Sequence, residues 1–220
     1  MADVVIFGVK DFASLAHFYL KHDSPHRVVG FTVHREFMPE TPEFEGLPVV
    51  ALEDLASRFP PDATNAFAPM SHRKMNRLRA EVYRQLKELG YSFISYISSR
   101  ATHFAGTTFG ENCFILEDNT IQPFVTVGNN VVMWSGNHIG HHSTIGDHTF
   151  ITSHVVLSGH CTVEPHCFLG VNATIKDQVR LGEGTLVGMG ANITKDTEPW
   201  SLYKADATRA SKVSSADIDF

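Results

Sequence analysis

The chain has 220 residues, 43% apolar and 19% charged, which supplies a core for one or two domains and argues against disorder. Lys and Arg total 18 against 24 Asp and Glu, a net charge of −6, so a nucleic-acid partner is not expected, since such binders carry a basic surplus. No apolar run approaches the roughly 20 residues of a membrane span, and the opening Met1-Ala-Asp-Val-Val-Ile-Phe-Gly lacks a basic stretch followed by a long apolar one, so a cytoplasmic location is expected.

The first part of the chain alternates strand and helix patterns. A strand is predicted at Val4–Phe7, then a helix over Phe12–Leu20 with Phe12, Leu15, Ala16 and Tyr19 on one face, then a strand at Val28–Val33. "FEGLPVVALEDL" leads into a short helix with Leu52, Leu55 and Phe59 in helical register. A strand near Ala63–Ala68 follows, then a helix over Arg73–Leu89 with Met75, Leu78, Val82 and Leu86 inward, running into Tyr91–Ile97. The alternation implies a small parallel α/β unit, assigned to residues 1–96.

From Phe109 the sequence divides into hexads: FGENCF, ILEDNT, IQPFVT, VGNNVV, MWSGNH, IGHHST and onward to ITKDTE. The first position is apolar in every hexad, from Phe109 through Ile139 to Ile193, without an insertion. The fifth is mostly small or β-branched, as at Val125, Ser143, Thr149, Val155, Ala173 and Ala191. Period six fits neither a helix nor simple alternation, but three short strands per turn, with two inward positions each, produce it. The fourth position, from Asn112 to Asp196, is dominated by Asn, Asp, Gly and His, types that tolerate positive φ, which predicts left-handed corners. His142, His148, His154, His160 and His166 are therefore read as turn formers, whereas His138 and His141 fall at outward positions that neither core nor turn explains; either can equally be an ordinary surface residue.

This repeat resembles the left-handed parallel β-helix of the hexapeptide-repeat acyltransferases. The resemblance implies 18 residues per coil and about five coils over residues 97–200, with a tail over 201–220 and residues 18 apart stacked at about 4.8 Å. Cys113, Cys161 and Cys167 all take the inward fifth position. Cys113 and Cys167 would lie about 14 Å apart on that spacing, with Cys161 on another face, so packed reduced thiols are expected.

An α/β unit before such a prism is similar to the sialic-acid O-acetyltransferase-like (NeuD/PglD) sugar acyltransferases, which include N-acetyltransferases of nucleotide-linked amino sugars. "VVIFG", "VVGF", "GLPVVALEDL", "CFLGVNATI" and "GMGANITKD" carry the resemblance with the histidine run. The family's catalytic histidine lies in a pattern like Val/Ile-Glu-His-Asp/Glu-Cys-x-Ile-Gly. The matching run is Ile139-Gly140-His141-His142-Ser143-Thr144-Ile145-Gly146, which makes His141 the general base, with Gly140 and His142 in place of the acidic neighbours. Counting 18 from His141 reaches Gly159, whose amide is implied as the donor to the acyl carbonyl.

The resemblance further implies acetyl-CoA as cosubstrate, its arm along Val171 and Met189 with Lys195 among the cations available to its phosphates, and a homotrimer with sites between prisms. The acceptor side falls to Gly8, Lys10, Arg35 and His138, although the turn Gly8-Val9-Lys10-Asp11-Phe12 has one glycine and Asp11 opposes a phosphate. The expected function is acetyl transfer to the amine of an amino sugar, nucleotide-linked, in surface-polysaccharide assembly. Transfer to a sugar hydroxyl is the alternative, with a non-catalytic scaffold and a metallo-lyase more distant. No metal cofactor is expected: a zinc site needs three converging ligands and an open position, and the stacked histidines belong to the turn column.

Overall fold

The computed structural model describes residues 1–210 and 212–218; positions 211, 219 and 220 of the expected tail lie outside the described residues. The N-terminal unit runs β1 (Asp3–Phe7), α1 (Asp11–His22), β2 (Arg27–Val33), β3 (Glu43–Phe44), β4 (Leu47–Ala51), α2 (Leu55–Arg58), β5 (Asn65–Phe67) and α3 (Arg77–Glu88). Its sheet has the order β3-β4-β2-β1-β5. β1, β2, β4 and β5 pair in parallel as expected, while β3 pairs antiparallel with β4, so the sheet is mixed at one edge.

One helix departs from expectation. Lys74, Met75 and Asn76 have φ of 51°, 52° and 62°, which no α-helix accepts, so α3 begins at Arg77 rather than Arg73. Its buried side is Arg79, Val82 and Leu86; Met75 lies outside the helix and Leu78 is only half-buried.

Residues Tyr96–Ile97 to Leu202–Tyr203 form a left-handed parallel β-helix of two-residue strands, 18 of them in three sheets of seven, six and five. The first face runs from Tyr96–Ile97 to Leu202–Tyr203, the second from Thr102–His103 to Asn192–Ile193, and the third from Thr108–Phe109 to Arg180–Leu181. The prism thus has six rungs rather than five, beginning one residue before the expected boundary and ending beyond residue 200. Pairing partners stand 18 apart, as with Thr120 and His138 or Thr144 and Thr162, except in the last rung, where Leu202 pairs with Leu186 at a spacing of 16.

The inward columns fill the prism with Ile, Leu, Val, Met, Ala and the three cysteines, all buried and unpaired. Burial pushes the Cys113 thiol up to about 11 and the Cys167 thiol to about 12, so both stay protonated. Every fourth-position residue from Asn112 to Gly190 has φ between 55° and 79°, including Phe124 and Gln178, which the corner forces into a conformation their types rarely adopt. Asp196, expected to close this column, is not left-handed; its Oδ1 instead accepts a hydrogen bond from the Arg180 amide at 2.9 Å.

The α/β unit docks on the first face. There the outward sixth positions are Phe114, Val132 and Phe150, almost fully buried, with Phe168 partly so, where the other faces carry mainly threonine. Phe12 meets Trp134 edge-on at 5.8 Å, and Tyr19 meets Phe114 at 6.0 Å. At the corner between the third and first faces α3 contributes polar plugs. Fully buried Arg79 donates to the carbonyls of Asn130 and, at 2.9 Å, His148, while Asn76 donates to those of His166 and Cys167 at 3.0 and 3.1 Å. Burial without a carboxylate partner lowers the Arg79 pKa to about 9.

Arg79→Ala strands these carbonyls in the interior and is expected to cost about 3–5 kcal/mol in urea unfolding; a change below about 1 kcal/mol would contradict the role of the plug. His148 gives a second expectation. Its Nδ1 accepts from Asn130 Nδ2 at 2.9 Å, and burial holds its pKa down to about 4, so the folded chain refuses a proton that an unfolded imidazole, near 6.5, takes up. Its stabilising contribution is intact above pH 6.5 and is lost as pH falls towards 4. A melting series over that window should fall steeply in the wild type and less steeply in His148→Asn, a residue that also tolerates the left-handed corner; identical slopes would refute it.

Candidate active site

The turn Gly140–Ser143 joins the second face to the third, at the edge of the prism opposite the face that the α/β unit covers. Gly140 has no room for a side chain: a Cβ there would stand 2.5 Å from the Gly159 nitrogen and 2.4 Å from the Ser158 carbonyl carbon. The next rung is thereby brought tight beneath the turn. His142 takes the left-handed corner with φ 58°, and His141, before it, projects outward and is exposed. The His141 N–H donates to Gln122 Oε1 at 2.9 Å.

The His141 imidazole lies over Gly159. A Cβ on Gly159 would fall 2.8 Å from His141 Cε1 and 2.9 Å from Nε2, and 3.2 Å from Asp177 Oδ1 on the following rung. Only glycine leaves the ring that place. The Gly159 N–H has no hydrogen-bond partner among the described residues, while its carbonyl accepts from the Gln178 amide at 3.0 Å. A backbone donor without a partner among the described residues and the Nε2 edge of an imidazole are therefore close neighbours.

The other ring nitrogen is engaged. His141 Nδ1 and His142 Nδ1 lie 3.1 Å apart, so one donates to the other. With His141 as donor, its Nε2 carries the lone pair that faces Gly159, and the histidine at 142 does what an acidic neighbour would do in fixing the tautomer. Around this pair the rings pack closely: His141 is edge-on to His160 at 5.0 Å, and His142 stacks on His160 at 4.8 Å and meets Phe124 at a tilt at 4.7 Å. Ring nitrogens of His141, His142 and His160, all exposed, lie within 4.8 Å of one another. The turn-column reading of His142 and His160 holds for their backbones, and missed that the same stacking draws them to His141. The signal was present: His142 and His160 are 18 apart, and His141 adjoins one of them.

The remaining expected site residues divide between other places. Lys195 shares the His141 corner, two rungs beyond Gly159, and is exposed. Val171 and Met189 stack on each other but belong to the corner between the first and second faces, so they do not line the same edge of one prism as His141; Met189 is 72% exposed. His138 sits on the second face, paired with Thr120 and Val156, its ring without a hydrogen bond among the described residues.

In the α/β unit, Gly8 ends β1 with φ 118° and donates to the Thr32 carbonyl at 2.8 Å, and exposed Lys10 is the residue before α1. Both lie at the carboxyl end of the central strands, where open α/β sheets bind ligands. Arg35 is already committed: its Nη2 donates to Asp54 at 2.8 Å and its amide to the Glu53 carboxylate, an acidic pair any phosphate would have to displace. On the third face of the prism, Arg180 is likewise paired, with Glu164.

A family model, the hexapeptide repeat of succinyl-transferase, matches residues 161–195. No curated protein matches the chain by sequence. Solved structures match over nearly its whole length. Perosamine N-acetyltransferase from Caulobacter crescentus, in complex with CoA and GDP-perosamine, is 22% identical with a TM-score of 0.76, covering 93% of this chain and 92% of that one. The acetyltransferase domain of PglB from Neisseria gonorrhoeae is 16% identical with a TM-score of 0.77, covering 92% of this chain and 96% of that one. WeeI from Acinetobacter baumannii is 18% identical with a TM-score of 0.72, covering 92% and 94%. The chain has the fold of these proteins. That likeness spans both the α/β unit and the prism, so the pairing of the two units belongs to the shared fold.

Gly159→Ala is expected to swing the His141 ring away, since the ring is the movable partner, and to break the 3.1 Å contact with His142 at little cost in stability. Imidazole nitrogen chemical shifts in NMR report the tautomer; shifts identical to those of the wild type would show that the ring does not rest on Gly159.

Proposed function

We propose that the chain transfers the acetyl group of acetyl-CoA to the amine of a nucleotide-linked amino sugar. One observation carries the reading: an imidazole and a glycine amide without a partner among the described residues stand as vertical neighbours at an open prism edge. The fold supports it, since the Caulobacter protein that shares it is an N-acetyltransferase solved with CoA and GDP-perosamine.

The chemistry needs little more. The amine nitrogen attacks the thioester carbonyl carbon while His141 Nε2 accepts an amine proton, imidazole being a competent base near neutral pH. The carbonyl oxygen, now an oxyanion, receives the Gly159 N–H. Collapse of the adduct breaks the carbon–sulfur bond, and the proton held on His141 passes to the departing CoA sulfur. Hydrogen bonding to His142 keeps the ring oriented through both transfers.

The position of His141 also bears on assembly. The α/β unit of the same chain covers the first face, and His141 stands at the opposite edge, so a sugar nucleotide held near Gly8 and Lys10 would meet a His141 belonging to another copy. The Val171–Met189 column of a neighbouring prism would likewise reach the CoA arm only across an interface, with Lys195 available to phosphate. These relations support a homotrimer with three shared sites. His138, outward on the second face, is assigned to the acceptor side. We place the reaction in the cytoplasm, supplying an acetylated sugar nucleotide for surface-polysaccharide assembly; among the described residues no helix is long and apolar enough to cross a membrane.

His141→Ala is expected to lower turnover about 10²–10⁴-fold with acetyl-CoA and a nucleotide-linked amino sugar, followed by thiol release, while light scattering still gives a three-chain mass. Near-normal turnover in that variant would refute His141 as the base.

A further inference from the structure

We propose that His141, His142 and His160 form a binding site for Zn²⁺, and that its occupation disarms the His141 imidazole. Three imidazoles, exposed and drawn from two successive rungs, present ring nitrogens within 4.8 Å of one another. Zinc–nitrogen bonds of about 2.0–2.1 Å set tetrahedral ligand atoms about 3.3–3.4 Å apart. The two Nδ1 atoms of His141 and His142, at 3.1 Å, already meet that spacing. The remaining distance is closed by rotation of the His160 ring, which stacks on His142 with only 13° between planes and is free on its outer side.

The site follows from backbone geometry. Left-handed corners at His142 and His160 project two imidazoles along one edge, one rung apart, and the outward turn position adds the third. Neutral imidazoles suit zinc, and with three protein ligands the fourth position is left to water. The other such pair, His148 and His166, has a similar ring spacing of 4.9 Å, but both rings are half-buried against α3 and no third ring nitrogen converges on them among the described residues.

Occupation changes the state of the base. Between His141 and His142 a single proton now lies on one Nδ1. Zinc takes the Nδ1 lone pair of His141, so the ring proton moves to Nε2, and the nitrogen facing Gly159 becomes a donor that cannot accept a proton from an amine. The ion is thus a reversible inhibitor rather than a cofactor. This inhibitory half rests on His141 acting as the base; the binding half does not.

The test is calorimetric titration of the full chain with zinc chloride in a non-coordinating buffer, with cobalt(II) visible absorption reporting geometry. One ion per chain is expected, with a four-coordinate cobalt spectrum. His160→Asn keeps a residue that tolerates the left-handed corner and should weaken binding by at least the roughly 10–100-fold that losing even an outer partner of a metal ligand costs. It should keep its basal acetyl transfer and lose zinc sensitivity, while His166→Asn binds like the wild type. No binding, equal binding in His160→Asn, or a loss in His166→Asn instead would overturn the proposal. Binding of the expected pattern with transfer unimpaired would support the metal site and count against His141 as the base.

Discussion

The parallel ladder between rungs, repeating every 18 residues, is the constraint on which the rest of the molecule depends. Each strand is two residues long, so no strand has much to hold it in place alone; order comes from stacking identical rungs on a continuous apolar column. Stacking in turn fixes what stands above what. It puts His141 over Gly159 and His142 over His160, and it makes Gly140 obligatory because the next rung passes where a side chain would begin. The site is a by-product of register: no loop was built for it.

The same periodicity decides which edge stays free. On the first face every third hexad carries an apolar residue at its sixth position, and the α/β unit covers that strip. Arg79 and Asn76 then close the adjacent corner by answering carbonyls that left-handed residues turn outward. Docking therefore uses one face and one corner, and the opposite edge, with its histidines, remains exposed. This arrangement separates the α/β unit of each chain from the His141 of the same chain, the separation on which the proposal of a site shared between copies rests.

The prism was almost wholly legible in the sequence, because apolar first positions and small fifth positions are a direct image of a wall with two inward residues per strand. His141 and Gly159 were legible as neighbours for the same reason: their relation is arithmetic. What was not read had a different cause. The helix start at Arg77 was missed because apolar periodicity around Met75 masks three left-handed residues, a tertiary choice that lets Asn76 and Arg79 reach the prism. Buried polar residues leave no hydrophobic signal. The strip Phe114, Val132, Phe150, Phe168 recurs at period 18, which a six-residue frame mixes with the threonines of the other two faces. Separation of Val171 and Met189 from the His141 edge was likewise available from the count, since they stand 12 and 30 residues from Gly159, neither a multiple of 18.

The replacement of acidic neighbours by Gly140 and His142 is resolved by local chemistry. Position 140 has no space, and position 142 sets an imidazole nitrogen 3.1 Å from His141 Nδ1, the contact that the proposed mechanism uses to orient the ring. The proposed chemistry turns on where a thioester carbonyl comes to rest. A crystal structure of the chain with acetyl-CoA bound tests this most directly: the carbonyl oxygen should lie about 2.7–3.1 Å from the Gly159 nitrogen, with His141 Nε2 facing the same carbon. A carbonyl found at another corner of the prism, or a His141 ring turned from Gly159 in that complex, would contradict it.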